Sequence, residues 1–267
     1  DFPALTQMQG ATLAELLQRG AQGAELAFRL RDVEDDVKDL TIAVLGSNLT
    51  TKGSVADALI SYAVDAKAAA RALRMISSRI AIMFDDMETV NAYALHSLRT
   101  LHAVKLAGAK GDFSTHVMAQ IFKVSVQTFS YNVDEVVSAS SAALYQLHLA
   151  DQRLSIVRGT ISATFPPLSL LARLFRGYPN SLTGLGKQTA VLQDAEDCLT
   201  ASAPYVQGII HVLVQVKADL GELQNSLATD SQTATPTAPI SLQLASIEQV
   251  VHDMVVAKRT LKNVGDQ

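Results

Sequence analysis

The chain has 267 residues, 48% hydrophobic but only 5% aromatic and without Trp, so its apolar content is aliphatic and alanine-rich. That length suits one large domain or two small ones, and that composition suits packed helices better than a sandwich or barrel. A net charge of −4 with no Lys/Arg run beyond two leaves no electrostatic footprint for nucleic acid, and the single cysteine, Cys198, excludes an internal disulfide framework or a multi-cysteine metal site.

The opening DFPALTQMQG reads as a processed or trimmed start. A first helix is predicted over about 10–46, with Leu26, Leu30, Val33, Val37, Leu40 and Val44 as its buried stripe. Gly20 and Gly23 are expected to weaken its first half. Asn48-Leu49-Thr50 is an N-glycosylation sequon, which matters only in a secretory lumen.

The strongest signal follows it. Val55, Tyr62, Ala69, Ile76, Met83, Val90 and Ser97 recur every seven residues, as do Leu59, Ala66, Leu73, Ile80, Met87, Ala94 and Leu101. A strand has period two and cannot produce this pattern. It predicts a helix over about 54–107, capped by Ser54 and stopped near Gly108. The next segment repeats the pattern. Phe122, Phe129, Val136, Ala143, Ala150 and Val157 form one row, and Val126, Val133, Ser140, Leu147, Leu154 and Ile161 the other. These rows predict a helix over about 112–163, capped by Asp112 and antiparallel to the one before it.

The stretch 159–180, GTISATFPPLSLLARLFRGYPN, carries a proline pair that stops this helix. It reads as a corner with a short helix over 167–176. Its side chains Phe165, Leu168, Leu170, Leu171, Arg173, Leu174, Phe175, Arg176 and Tyr178 form a candidate interaction or membrane tip. A further helix is expected over 181–228 from Leu185, Leu192, Leu199, Val206, Leu213, Leu220 and Leu227, kinked at Pro204. Residues 230–239 read as a Ser/Thr/Pro-rich linker. A last helix within 240–267 buries Ile240, Leu244, Ile247, Val251, Met254 and Leu261 against the bundle formed by 1–229. The fold expected is all-α: an elongated up-and-down bundle of four to five long helices with coiled-coil-like heptad packing. No segment reads as a transmembrane span, since the longest uncharged run, 198–216, holds Pro204, Gly208 and His211.

The segment GSNLTTKGSVADALISYAVDAKAAARALRMISSRI, followed by NAYALHSL, resembles a set of long helical proteins of mushroom-forming fungi. The resemblance rests on Leu49, Thr50 and Lys52, on Asp65, Ala66 and Lys67, and on Tyr93, Ala94 and Leu95. LYQLHLADQRLSIVRGTIS and PISLQLASIEQVVHDMVVAKRTLKN are similar to the same set, so the likeness covers nearly the whole chain. It implies a helical architecture and a membrane-tethered setting through an anchor outside this chain. It transfers no catalytic residue.

The constellations that could carry chemistry are sparse. DVEDD at 32–36 and DDMETV at 85–90 are the acidic candidates for a metal, and Asp85 and Glu88 stand one turn apart. Carboxylate-bridged sites also need Glu-x-x-His motifs, and the sequence has none, so both groups read as solvated helix faces. His96, His102, His116, His148, His211 and His252 never occur at the i, i+4 spacing of a paired imidazole site. Cys198 reads as a buried, inert thiol. No phosphate-binding loop, dinucleotide fingerprint or nucleophile elbow is present. No catalytic residue, cofactor, metal or small-molecule substrate is therefore expected.

Residues 124–218 hold only twelve charged side chains among ninety-five. The surplus apolar surface is covered by further helices of the same chain, by further copies, or by lipid. The leading expectation is a non-enzymatic structural or interaction protein that self-associates. The alternative is a membrane-active bundle of the pore-forming kind, using the corner 159–178 at a membrane surface. An apolar ligand carried between helices is a third and weaker reading.

Overall fold

The computed structural model describes residues 2–47, 50–106, 113–164, 182–230 and 238–265. They form five packed helices: α1 (Phe2–Leu45), α2 (Lys52–Leu106), α3 (Phe113–Thr164), α4 (Leu182–Asp230) and α5 (Ile240–Gly265). No strand occurs among the described residues.

The chain divides into two compact units, and the long helices contribute to both. The first contains Asp1–Ala21, Ser77–Ala139 and Gly208–Gln267; the second contains Gln22–Ile76 and Ser140–Gln207. In the first unit, Phe2, Leu5 and Leu16 of α1 are buried with Met83, Phe84, Phe129, Val133, Leu213 and Met254. Phe2 meets Phe122 edge-on, with ring centroids 5.1 Å apart. In the second, Leu30, Val37, Leu59, Tyr62, Leu73, Leu147 and Cys198 are buried.

The predicted rows are largely the buried rows. On α3, every position of the two series from Phe122 to Val157 is buried; Ile161 is half-buried. On α2 the rows hold from Val55 to Met87 and then shift by one residue. Val90 and Ser97 are half-buried, and Asn91 and Leu98 take their places. An α-helix drifts about 20° per heptad from a strict seven-residue repeat. Two successive four-residue steps, Met83 to Met87 to Asn91, absorb that drift.

A third row on α2, Ala56, Ala63, Ala70, Phe84, Asn91 and Leu98, is buried too. The buried face is thus wider than a two-helix seam, as contact with more than one neighbour requires.

Several boundaries differ from expectation. α1 begins at Phe2 rather than near residue 10. Pro3 lies in its first turn, where a missing N–H costs nothing, and Phe2 is anchored on Phe122. α2 begins at Lys52, so Ser54 lies inside the helix. The Thr51 carbonyl instead accepts the amide of Val55 at 3.2 Å. α1 ends with Gly46 N donating to Ile42 O at 3.1 Å and Ser47 Oγ donating to Val44 O at 2.6 Å.

α4 runs on to Asp230, into the segment expected to be linker, and continues through Pro204, which is exposed. On α5 the buried stripe is Gln243, Ile247, Val250 and Met254, while Leu244 and Val251 are only half-buried. The Gln243 side chain donates to Ala238 O at 2.7 Å, which ties that face to the helix start. Gly108, Asp112, the predicted helix 167–176 and residues 231–237 lie outside the described residues.

Candidate functional site

The predicted tip, Phe165, Leu168, Leu170, Leu171, Arg173, Leu174, Phe175, Arg176 and Tyr178, lies outside the described residues, as does Asn48. What is described is the end of α3 and the part of α4 that packs on it. Arg158, near the end of α3, forms an ion pair with Glu196 and donates to the Leu192 carbonyl of α4 at 3.3 Å. The hydrogen bond from Arg158 holds the Glu196 carboxyl below its ordinary range, and the same bond pushes the Arg158 guanidinium up. Gln193 donates to Asp197 at 3.0 Å beside it. This polar clamp fixes α3 against α4 next to the corner.

The two acidic groups behave differently. In DVEDD, Glu34 is buried and paired, at 2.7 Å to Lys38 and 3.6 Å to Lys67. A buried carboxylate needs such partners to offset its lost hydration. Its neighbours diverge: the hydrogen bond from Lys38 lowers the Asp35 pKa, whereas burial and then Asp32, Asp39 and Asp194 raise that of Asp36. In DDMETV, Asp85 is exposed and Asp86 and Glu88 are half-exposed. Among the described residues, no group of three or more His, Cys, Asp or Glu side chains is placed to share a metal ion. His96, His116, His148, His211 and His252 are exposed and His102 is half-buried.

Cys198 is fully buried, and its thiol lies 3.7 Å from the Leu26 carbonyl. Burial pushes its pKa up. Tyr62 lies in the same core. Its hydroxyl has no hydrogen-bond partner among the described residues, and burial, with Cys198 and Asp151 adding to it, pushes the phenol well up.

A shallow groove of about 390 Å³ in the first unit is lined by His116, Gln120, Lys123 and Gln127 of α3 and by Gln224 of α4. Ala119 and Val126 also line it, so its walls mix polar and apolar groups, and no cluster of reactive groups converges on it.

Three features were missed in the sequence. The first is a buried polar pair, Gln9 and Asn91, joined at 2.8 Å. No sequence signal marked it, because Val90 and Ser97 fit a strict heptad and hide the α2 register shift that brings Asn91 into the core. The second is a set of exposed apolar side chains on the outer side of α2 and α3, including Tyr93 and Tyr131. Their spacing by seven or eleven residues, outside the core rows, could have revealed them. The third lies in α4, where Ala190–Asn225 is long and apolar enough by composition to cross a membrane, with mean hydropathy 1.2. The expectation that no segment reads this way was too strict. The same stretch gives Leu199, Val206, Ile209 and Leu213 to the core.

No protein-family model matches the chain, and no curated protein matches it.

Proposed function

We propose that the chain is a non-enzymatic structural or interaction protein, a rigid helical rod acting as tether, spacer or self-assembling unit. The observation that carries this reading is the unbroken buried stripe of α3, from Phe122 to Val157, within a helix of 52 residues. A core repeated along so long a helix favours stiffness along one axis. Ion pairs between helices support it, namely Arg79–Glu135, Asp65–Arg153, Asp134–Lys217 and Arg99–Glu248. The likeness to membrane-tethered fungal proteins belongs to the same proposal: the rod would hold a partner at a set distance from a surface.

Small-angle scattering tests it. At about 1.5 Å per residue, α2 alone would be ~80 Å long, so a maximum dimension of at least that size is expected. A radius of gyration near the ~18 Å of a compact chain of this length would overturn the rod.

A second reading, a membrane-active bundle, draws on the apolar composition of Ala190–Asn225 in α4. It would release the corner 159–178 into lipid, with Arg173 and Arg176 at the headgroups. Dye leakage from liposomes at neutral and acidic pH checks it, and intact vesicles under all conditions would end it.

A further inference from the structure

Building on the self-assembling form of that reading, we propose that a second copy of this chain docks on the outer face of α2 and α3 in the first unit, about a two-fold axis parallel to the two helices. The surface consists of side chains that the core does not use. Ile82, Tyr93 and Val104 follow one another at eleven-residue steps along α2, and Val124 and Tyr131 stand seven apart on α3. All five are between 38% and 64% exposed.

A single ion pair locates this surface. Arg79 of α2 and Glu135 of α3 meet at 3.1 Å. At 100° per residue, Ile82, Tyr93 and Val104 lie within about 60° of the Arg79 direction. Tyr131 and Val124 lie within about 40° of the Glu135 direction by the same measure. The five apolar side chains therefore border the outer groove between α2 and α3, with the ion pair at one end.

The composition fits a protein partner. Protein interfaces gain aromatic residues and lose charge at their centre, and here two tyrosines and three aliphatic side chains share the face with few charges. Lipid is disfavoured because Arg79, Glu135 and Asp86 would have to be desolvated against it.

Charge complementarity selects a second copy as the occupant. A two-fold rotation about an axis along the groove lays α2 of one copy over α3 of the other at the same level. Arg79 then stands opposite Glu135 of the other copy, and the pair occurs twice. Ile82 is three residues past Arg79 and Tyr131 four before Glu135, so these two also face each other across the axis. Tyr93, fourteen past Arg79, comes within about 4.5 Å of the level of Val124, eleven before Glu135. One symmetry operation thus sets the opposite charges and the apolar side chains against each other.

Sedimentation equilibrium of the full chain is the test, with circular dichroism to confirm that each variant is folded. The wild type is expected at twice its 28.5 kDa mass. Tyr93→Glu combined with Tyr131→Glu should raise the dimer dissociation constant by about 100-fold or more, as loss of central aromatic anchors does. Arg79→Glu alone and Glu135→Arg alone each place like charges across the axis and should weaken the dimer. Mixed in equal amounts, these two variants should restore it, because each copy then supplies the charge that the other lacks. A monomeric wild type whose scattering is still that of a rod overturns the second copy and leaves the spacer reading standing. A dimer unaffected by the tyrosine variants, or a mixture that fails to recover, overturns this face while leaving self-association intact.

Discussion

Asn91 donates through Nδ2 to Gln9 Oε1 at 2.8 Å, and both side chains are shut away from solvent inside the first unit. The bond joins α1 to α2 at one level. The Asn91 Oδ1 atom has no partner among the described residues, so the pair is only partly satisfied. A partly satisfied buried amide contributes more to register than to stability, because any slip of α1 along α2 would leave both amides unpaired.

The first prediction follows directly. Asn91→Ala leaves Gln9 buried without its partner and should cost about 1–3 kcal/mol. Replacing both by Leu should cost much less or even stabilise, while reducing the uniqueness of the packing. Urea unfolding measures the first effect, and the sharpness of amide spectra reports the second.

The glycines give a graded set. A Cβ on Gly23 would lie 2.0 Å from the Tyr205 hydroxyl oxygen and 2.6 Å from the ring carbon that bears it. Gly23→Ala should therefore lower stability by about 1–3 kcal/mol, as overpacking does. Gly208→Ala would meet only the far end of Arg19, at 2.2 Å from Nη1, and should cost less. Nothing lies within 4 Å of a Cβ at Gly221 or Gly10, so alanine there should add about 0.5–1 kcal/mol by helix propensity. Melting temperatures should rank in that order.

Stability should depend on pH with opposite signs at two carboxylates. The Glu196 pKa is lowered by Arg158, so its contribution is present above the ordinary glutamate range and lost as pH falls through the lowered value. The Asp36 pKa is raised by burial and by its acidic neighbours, so its charged form is a cost at neutral pH that protonation relieves. Asp36→Asn should raise the melting temperature at pH 7, and the gain should shrink as pH falls through the raised pKa and at high salt. Glu196→Gln should lower it at pH 7 and lose its effect in acid. Melting curves across pH for both variants check the signs.

The core around Tyr62 should be chemically silent. Cys198 is buried with its thiol pushed up in pKa, so a thiol reagent at pH 8 should react only as the chain unfolds. The Tyr62 phenol should likewise stay un-ionised until unfolding exposes it, as absorbance near the phenolate band would show. Removing its unpartnered hydroxyl in Tyr62→Phe should be neutral or stabilising by up to about 1 kcal/mol.

Much of the helical pattern was legible because a seven-residue repeat leaves few alternatives. The α3 rows ran from Phe122 to Val157 as read. The shift after Met87 was hidden because Val90 and Ser97 fit a strict heptad while geometry favours Asn91 and Leu98. Periodicity counts residues, whereas burial follows angles, and the two part company over several turns. The start of α1 was missed because Thr6 and Gln9 look like surface residues, yet both are buried. Gly23 was read as a weakness, and its use appears only once Tyr205 lies against it. The Tyr93 and Tyr131 surface was not legible because both residues lie outside the heptad rows that mark the core.

The division into two units has a practical consequence for dissecting the chain. The second unit is assembled from Gln22–Ile76 and Ser140–Gln207. No cut from the two ends alone isolates it, because residues 77–139 of the first unit lie between its two segments. One internal excision would serve instead. Asp65 bonds Arg153 at 3.0 Å; Ile76 lies eleven residues beyond the one and Ser140 thirteen before the other, so both reach nearly the same level. Replacing residues 77–139 with a short reverse turn, and ending the gene at its two outer boundaries, would leave a four-helix miniprotein in which the corner could be studied by itself.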